Sequence, residues 1–347
     1  MKSTFQDRDC VYLLKDLTGV IGFTPHAEKE KNISDGVNYS EMITKEEPLP
    51  DELNDIFHDM LALKADDLAR YTGIVSNRIF SESGANTVIV SLARAGSPVG
   101  ALIKRYIRFR YGIEIPHYSI SIIRDRGIDK NALNHVRKVH PGGILTFVDG
   151  WTGKGSITRE LEKSIREYNK ETGASLSAKL AVLADPARLS AIAGTRKDVC
   201  IPNACLNSTI SGLVSRTILN KNYLAETDYH GAVRYDRLKD WDVTNLFLDT
   251  VESKFSYDCG ACEEMGQSCV ETIKNRLVSD FPIADINKVK LSIGESSRAL
   301  LRRIPYIVLV RNIKNPDLSF VLHMARIKGV EVREYDTMDY ECITLLR

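Results

Sequence analysis

The sequence predicts an α/β protein with a mainly parallel central sheet and a second, smaller α/β unit at its C-terminal end. Between about residues 76 and 202, short apolar runs alternate with amphipathic segments, a pattern typical of βαβ units. After a proline-containing break at Asp280-Phe-Pro282, the chain alternates between strand-like and helix-like segments up to its C-terminal end. We therefore expect a parallel sheet flanked by helices, joined to a small C-terminal domain.

The apolar runs supply the predicted strands. They are Thr87–Leu92, His117–Ile123, Ile144–Val148 and Leu180–Ala184, with Val199–Ile201 as a candidate fifth. Apolar residues at three- and four-residue spacing predict helices over Gly100–Phe109 and Ser156–Arg166, and a further helix through Phe57, Met60 and Leu63.

These elements divide the chain into four predicted parts. Residues 1–75 form an N-terminal helical extension, and residues 76–202 form the sheet-bearing core. Residues 203–280 form a helical, loop-rich insertion or hood, and residues 285–347 form the C-terminal domain.

Composition indicates a globular protein whose overall charge does not favour binding to nucleic acid or membranes. The 347 residues are 43% hydrophobic and 27% charged, with a formal net charge of +1. We expect a cytoplasmic location, because the N-terminus lacks the apolar core of a secretory signal and no segment is apolar over a membrane-spanning length. Seven irregularly spaced cysteines favour free thiols over a disulfide framework. We also expect a homo-oligomer.

The most informative stretch is a predicted buried strand that ends in Asp149 and continues through a loop rich in Gly, Thr and Ser into a helix. Gly153 and Gly155 permit a tight turn that presents backbone N–H groups to an anion, and the following helix N-terminus adds a favourable dipole. A Walker A loop is excluded, because Lys154 falls between the two glycines. The predicted ligand-binding residues here are Thr152, Gly153, Lys154, Gly155 and Ser156.

This order of residues resembles the ribose-phosphate loop of type I phosphoribosyltransferases. The first predicted strand runs into Ala93-Arg-Ala-Gly-Ser-Pro-Val-Gly100, which looks like the pyrophosphate loop of the same family. The resemblance assigns Arg94 to the diphosphate and Ala95, Gly96 and Ser97 to ligand binding. It implies a type I phosphoribosyltransferase-like sheet.

The same resemblance implies the chemistry of the site. Asp149 would engage the ribose hydroxyls, Mg²⁺ would bridge ligand oxygens, and Arg124 and Arg126 would belong to a mobile basic loop that closes over the site. Asp149, Arg94, Arg124 and Arg126 are thus the predicted catalytic residues, with phosphoribosyl diphosphate or a nucleotide as ligand.

Over nearly its full length, the chain resembles the StiP family, which is found with tellurite-resistance and stress-response gene clusters. The resemblance rests on long runs, among them Val148-Asp-Gly-Trp-Thr-Gly-Lys-Gly-Ser156, Leu206-Asn-Ser-Thr-Ile-Ser-Gly-Leu-Val-Ser-Arg216 and Asp228-Tyr-His-Gly231. It implies a phosphoribosyltransferase-like domain followed by a pelota-type RNA-binding domain.

The C-terminal domain carries the predicted RNA contacts. Residues 285–330 hold nine Lys and Arg against three Asp and Glu, and the pelota resemblance implies that some of these cations contact RNA phosphates. The alternative is a solvated helix face. The predicted RNA-binding residues are Arg298, Arg302, Arg303, Arg311 and Lys314.

Members of the StiP family are often labelled cysteine proteases, so a thiol mechanism is an alternative. Cys205 is the candidate nucleophile and His230 the candidate base, which requires that the thiol and the imidazole lie within hydrogen-bond distance. Cys259, Cys262 and Cys269 have a spacing compatible with zinc or a redox pair, but no histidine lies nearby in the sequence, so we expect no bound metal at these thiols.

Three functions are therefore open at this point. The first is a Mg²⁺-dependent phosphoribosyl-transfer or nucleotide-metabolising enzyme with an RNA-binding module. The second is a non-catalytic, nucleotide-sensing RNA-binding regulator, because Gly150 stands where phosphoribosyltransferases usually have a second acid. The third is a cysteine peptidase that uses Cys205.

Overall fold

A computed structural model describes residues 1–6, 8–283 and 285–346. Its α-helices are α1 (His26–Ser34), α2 (Asp51–Ser83), α3 (Gly96–Tyr111), α4 (Lys130–Val139), α5 (Ser156–Thr172), α6 (Thr244–Glu252), α7 (Val270–Asp280), α8 (Ile293–Arg302) and α9 (Ser319–Ile327). Its strands are β1 (Val11–Tyr12), β2 (Lys15–Asp16), β3 (Thr87–Ala93), β4 (His117–Ile123), β5 (Gly127–Ile128), β6 (Ile144–Val148), β7 (Leu180–Ala184), β8 (Ile192–Thr195), β9 (Gly231–Ala232), β10 (Val289–Leu291), β11 (Pro305–Val310), β12 (Glu331–Glu334) and β13 (Cys342–Leu346).

The predicted α/β class with a mostly parallel sheet is confirmed. Within the described residues, the large sheet has the order β1-β4-β3-β6-β7-β8, with parallel pairing throughout, and the short β5 pairs antiparallel with β4. The four predicted strands correspond to β3, β4, β6 and β7. The candidate fifth strand at 199–201 is wrong, because β8 takes that place and the Cys200 N–H donates to the Asp317 carboxylate instead of to a strand.

Helices cover both faces of this sheet, so its strands are apolar on both sides. Side chains of α2, α3 and α6 pack on one face, and side chains of α4 and α5 pack on the other. Gly112 and Gly173 end α3 and α5 in the left-handed conformation, which glycine adopts without steric cost. The predicted helix through Phe57 and Met60 is confirmed as part of α2.

A buried cation ties the N-terminus to this scaffold. Arg105 on α3 forms a bidentate pair with Asp9, with Nε and Nη2 at 2.9 and 2.6 Å from the two carboxylate oxygens. Its Nη1 donates to Asp249 and Glu252, at 2.7 and 2.6 Å. Because Arg105 and Asp9 are both 1% exposed, each compensates a charge that water cannot reach.

The order of the strands defines where a ligand site belongs. The chain leaves β3 toward β4 on one side, and it later returns to place β6 on the other side of β3. Ligands of such sheets bind beyond the carboxyl ends of the strands at this reversal. The expected position of a ligand is therefore between the loops after β3 and β6.

The segment from 196 to 243, by contrast, has little regular structure. It contains short 3₁₀ turns and β9, which pairs in parallel with β2 near the N-terminus. Its apolar side chains form a small cluster with residues 17–43. Residues 203–280 were predicted as a helical insertion or hood, and the first α-helix within them is α6.

The C-terminal residues form a separate sheet of order β10-β13-β11-β12 over the described part of the chain. Helix α7 packs on one face of it with Val289, Leu291 and Leu309, and α8 and α9 pack on the other. The predicted small C-terminal domain is thus confirmed, while the four predicted domain limits stay predictions. No helix in the described ranges has the length and apolarity needed to cross a membrane.

Candidate functional site

The loops after β3 and β6 touch each other at the carboxyl edge of the sheet. A Cβ placed on Gly96 would lie 2.2 Å from the Val148 carbonyl oxygen and 3.1 Å from the Asp149 Cα. A Cβ on Gly150 would lie 3.6 Å from the Ala95 carbonyl oxygen, which also accepts a hydrogen bond from Asn203 at 3.1 Å. Only glycine permits this approach at position 96, so the two predicted loops lie in contact.

Arg94 lies at the centre of this site and is 6% exposed. Its Nη2 donates to Glu46 Oε1 at 2.9 Å and to Asn207 Oδ1 at 3.1 Å, and its Nη1 donates to the Val214 carbonyl at 3.1 Å. Burial raises the pKa of Glu46, but Arg94 and the Ser208 N–H together lower it below its usual value, so Glu46 stays ionised. Ser97, which was predicted to bind ligand, instead hydrogen-bonds Ser119 at 2.7 Å.

Asp149 faces the C-terminal domain from the end of β6. Its Oδ1 accepts the Gly150 N–H at 2.8 Å, and burial raises its pKa to about 6, although Gly150 and the charge of Arg298 act in the opposite direction. Arg298 on α8 lies over the ring of Trp151, 4.9 Å from its centroid. The end of β6 therefore contacts α8 directly.

The loop after Asp149 is covered by the C-terminal domain. A Cβ on Gly153 would lie 2.3 Å from Glu295 Oε1 and 2.6 Å from the Leu291 carbonyl oxygen. The Tyr340 hydroxyl donates to the Gly153 carbonyl at 2.9 Å. The Glu295 carboxylate thus occupies the space in which an anion bound by this loop would lie.

The neighbouring loop residues also have partners within the protein. Thr152 donates to the buried Asp185 carboxylate, and Lys154 Nζ donates to the carbonyls of Ile286 and Val289 at 3.0 and 3.2 Å. A Cβ on Gly155 would lie 2.3 Å from a methyl carbon of Leu189. Ser156 begins α5. Ligand binding by residues 152–156 stays a prediction, and in this arrangement the loop is a docking surface.

The predicted mobile loop is a short turn that includes β5. The Arg124 N–H donates to the Tyr39 hydroxyl at 3.2 Å, and Arg126 pairs with Glu41 at 2.7 Å. Both partners lie in the segment 39–41 near the N-terminus. A catalytic role for Arg124 and Arg126 stays a prediction, as does closure of this loop.

The predicted RNA-binding residues do not form one patch. Arg302 donates to Asn207 Oδ1 at 3.1 Å, so Arg298 and Arg302 face the cleft beside the sheet. Arg303 follows them at the end of α8 and is exposed, like Arg311 and Lys314. Because β11 separates Arg303 from Arg311, the two ends lie about 20 Å apart.

Cys205 and His230 are not brought together as a pair. Cys205 is fully buried, 4.0 Å from the Cys200 sulfur, among apolar side chains that include Ile293 and Leu300 of the C-terminal domain. His230 Nδ1 hydrogen-bonds Ser121 at 2.7 Å, and its backbone N–H donates to Asp129. Across the described residues, no hydrogen bond joins Cys205 to a histidine.

The other predicted thiol group is also dispersed. Cys259 lies 2.9 Å from the Tyr106 hydroxyl, and Cys262 lies 3.7 Å from Glu263. Cys269 is buried with α7. In the parts of the chain that the structure describes, no three His, Cys, Asp or Glu side chains are grouped as metal ligands. Mg²⁺ stays a prediction.

Sequence reasoning missed several residues of the site. Glu46 and Asn207 hold Arg94, Glu295 fills the loop, and Asp198 accepts the N–H groups of Ile293 and Glu341 from the C-terminal domain. Asn207 lies in the long run that carried the family resemblance. Glu46 and Asp198 have no local motif, because their partners are far away in the sequence.

Fold and site together define an α/β protein whose sheet edge is closed by a second α/β domain. The model of the family described as "Tellurite-like stress resistance cysteine protease StiP" matches residues 3–252, and the model of the "PELOTA RNA binding domain" matches residues 266–347. The chain is 32% identical to "Cysteine protease StiP" of Acinetobacter baylyi, over 99% of this chain and 94% of that protein. The chain belongs to the StiP family and carries a pelota domain, as the sequence indicated.

The same findings correct the predicted activity. A phosphoribosyltransferase, or another glycosyl-transferring enzyme of nucleotide metabolism, was expected, and this is wrong. Both the matched family and the curated relative are described as cysteine proteases. The third of the open functions fits these descriptions better than the first.

Proposed function

We propose that this protein is a cysteine peptidase of the StiP family. The observation that carries the proposal is the similarity to a relative described as a cysteine protease, which extends over 99% of this chain. Two neighbouring thiols that follow β8, close to the Arg94 loop, support the proposal.

Cys205 is the nucleophile in this proposal. The hydrogen bond with Cys205, together with burial, raises the pKa of Cys200 well above its usual value. Cys200 therefore keeps its proton, and its sulfur lies 4.0 Å from the sulfur of Cys205. Asn203 and Asn207 flank Cys205 and already donate to, or accept from, the Arg94 loop.

Access to Cys205 requires movement of the C-terminal domain. In the described arrangement, Ile293 and Leu300 cover the thiol, and His230 is held by Ser121. The docked domain thus keeps the peptidase in a covered form. In this proposal the base that activates Cys205, for which His230 is the candidate, becomes available only when the docked arrangement of the domains opens.

Alkylation and proteolysis test the assignment. The full chain is incubated with casein as a generic substrate, with and without iodoacetamide, and peptide release is measured. We expect Cys205→Ser to abolish release, and the matched control Cys262→Ser, at a half-exposed thiol, to retain it. Retention of casein cleavage in Cys205→Ser would assign the nucleophile elsewhere, and cleavage that survives exhaustive alkylation would refute a thiol mechanism.

We also propose that the C-terminal domain binds RNA, supported by the match of residues 266–347 to the pelota RNA-binding model. The exposed Arg311 and Lys314 are placed to contact phosphates. Filter binding of single-stranded RNA to the full chain tests this. Each lost phosphate contact lowers the slope of log affinity against log salt by about 0.7, so Arg311→Gln and Lys314→Gln should each show that change. Lys163→Gln, at an exposed lysine on α5, should not.

We further propose that the large sheet has the type I phosphoribosyltransferase-like form, without the activity. Support comes from the contact of the Ala95–Gly96 turn with the end of β6 at the reversal of strand order. An experimental structure in which these two loops lie apart would exclude it.

A further inference from the structure

Four arginines from three segments converge between the sheet edge and α8. They are Arg94, Arg216, Arg298 and Arg302, and we call this place the arginine cleft. Asn207 Oδ1 accepts from Nη2 of both Arg94 and Arg302, each at 3.1 Å, so those two nitrogens lie within about 6 Å of each other. The cleft therefore brings cations of both domains to one point.

The remaining two arginines border the same place. Arg298 and Arg302 are four residues apart on α8 and share one face of the helix. Arg216 donates to the Met42 carbonyl at 3.0 Å and lies 5.7 Å from the ring centroid of Tyr39. Arg298, Arg94 and Arg216 all act on Arg302 as like charges.

The hydrogen-bonding capacity of these guanidinium groups is only partly used. The Nε atoms of Arg94 and Arg298 are buried and have no partner among residues 1–6, 8–283 and 285–346. Arg298 has a stacking contact with Trp151 there, but no ion pair within those ranges. Unpaired buried donors on a cation are costly, which indicates a missing acceptor.

The charges in the cleft do not balance. Glu46 pairs with Arg94, and Asp149 is the other carboxylate close to Arg298. Burial, with the charge of Arg94, lowers the pKa of Arg298 to about 10. Because arginine stays protonated near neutral pH, the four guanidinium groups outnumber the two carboxylates, and an anion would offset the excess positive charge.

We propose that the arginine cleft binds the phosphate group of a small phosphorylated ligand, with Arg298 and Arg302 of the C-terminal domain as direct contacts. Guanidinium groups match phosphate oxygens in pairs of parallel hydrogen bonds, and several such groups suit a dianion. Arg94 would contribute from the sheet side, where its Nε is unpaired. The site differs from the loop at Gly153, which Glu295 occupies.

Such a ligand would hold the two domains together. Because its contacts come from both the sheet edge and α8, it binds the docked arrangement better than an open one, and so stabilises the docked form. The inference does not depend on peptidase activity, since it concerns only binding and domain closure.

Tryptophan fluorescence offers a direct test. The chain has two tryptophans, and Trp151 stacks on Arg298, so in the Trp241→Phe background the emission reports on the cleft. Inorganic phosphate is titrated against chloride at matched ionic strength. We expect a saturable change with phosphate, weakened roughly tenfold to a hundredfold by Arg302→Gln. Arg302 is exposed, so this variant should fold, which circular dichroism verifies.

The control variant is Arg166→Gln, which removes an exposed arginine of α5 without touching the cleft. It should respond to phosphate like the parent protein. Absence of a saturable change, or an equal loss of affinity in Arg166→Gln and Arg302→Gln, would overturn the proposal. So would an equal response to single-stranded RNA without a terminal phosphate, because the cleft would then accept an RNA backbone and not a compact phosphate group.

Discussion

The Glu295 carboxylate lies against the Cα of Gly153, where a methyl group would come within 2.3 Å of Glu295 Oε1. Burial raises the pKa of Glu295, although Lys290, Lys154 and the Lys154 N–H act in the opposite direction. The loop that was predicted to bind an anion is thus filled by an acidic side chain of the neighbouring domain. This contact fixes how the two domains dock.

Gly153→Ala should weaken that docking. The new methyl group would meet Glu295 and also the Leu291 backbone carbonyl, which cannot rotate away. We expect a loss of about 1–3 kcal/mol in the free energy of unfolding, as for overpacked sites, and faster limited proteolysis. Gly142→Ala is the control, because a Cβ there meets nothing within 4 Å. Equal melting temperatures for the two variants would contradict a close contact at Gly153.

Arg105→Gln should be among the most damaging single changes. It leaves the Asp9 carboxylate buried without its cation, which costs about 3–5 kcal/mol when one partner of a buried pair is removed. Arg108→Gln on the same helix is the matched control. Its side chain is 27% exposed and its pairs with Glu114 and Glu252 are 3.3 Å long, so a loss of at most about 1 kcal/mol is expected. Urea unfolding of both variants measures the two losses in the free energy of unfolding.

Asp198 should make stability depend on pH. Burial raises its pKa to about 7, above its unfolded value of 3.8, despite the N–H groups of Glu341 and Ile293. The folded protein therefore binds more protons than the unfolded chain between these values, and this contribution to stability is lost as the pH rises toward 7. The loss is at most roughly 1.4 kcal/mol per pH unit.

Asp198→Asn is the variant that isolates this effect, because it cannot ionise. The free energy of unfolding should fall more steeply with pH in the parent than in the variant, and the difference between the two proteins is the readout. Parallel pH profiles would show that Asp198 ionises normally in the folded protein.

Lys154→Met should loosen the same domain contact in a different way. The change removes the amine that donates to the carbonyls of Ile286 and Val289, and leaves both acceptors unpaired at a cost of about 1–3 kcal/mol. Lys163→Met, at an exposed lysine of α5, should cost less than about 0.5 kcal/mol.

The pH dependence of Lys154 has the opposite sign to that of Asp198. Burial lowers the pKa of Lys154 to about 8, below its unfolded value of 10.5. Between these values the unfolded chain binds more protons, so stability from this group rises with pH. Between pH 8 and 10.5 the melting temperature of the parent should rise relative to that of Lys154→Met, and a difference that stays constant with pH would contradict a buried amine.

The sequence predicted the sheet well because its signals are local. The runs at 117–123, 144–148 and 180–184 coincide with strands, since strands buried on both faces need continuous apolar residues. By contrast, Ile192–Thr195 contains a glycine and is only four residues long, so the more apolar run at 199–201 was the stronger signal.

The site was predicted in part. The meeting of the Gly96 and Gly150 turns followed from the order of the strands. The covering of Gly153 by Glu295 could not be predicted, because 141 intervening residues separate the two positions and no local pattern encodes docking of a second domain. The activity was mistaken for the same reason, since the loop pattern was interpreted without the domain that fills it.

The apolar cluster that encloses Cys205 also limits how the protein can be divided. Leu53 and Met60 of α2 contribute to it from one side, and Ile293, Leu300 and Met324 contribute from the other. A chain that ends before α7 would expose the α2 side of this apolar cluster to water and would be prone to self-association. A deletion that removes either domain would therefore reduce solubility and obscure the role of the remaining domain. Point substitutions at the contact between the domains avoid this problem.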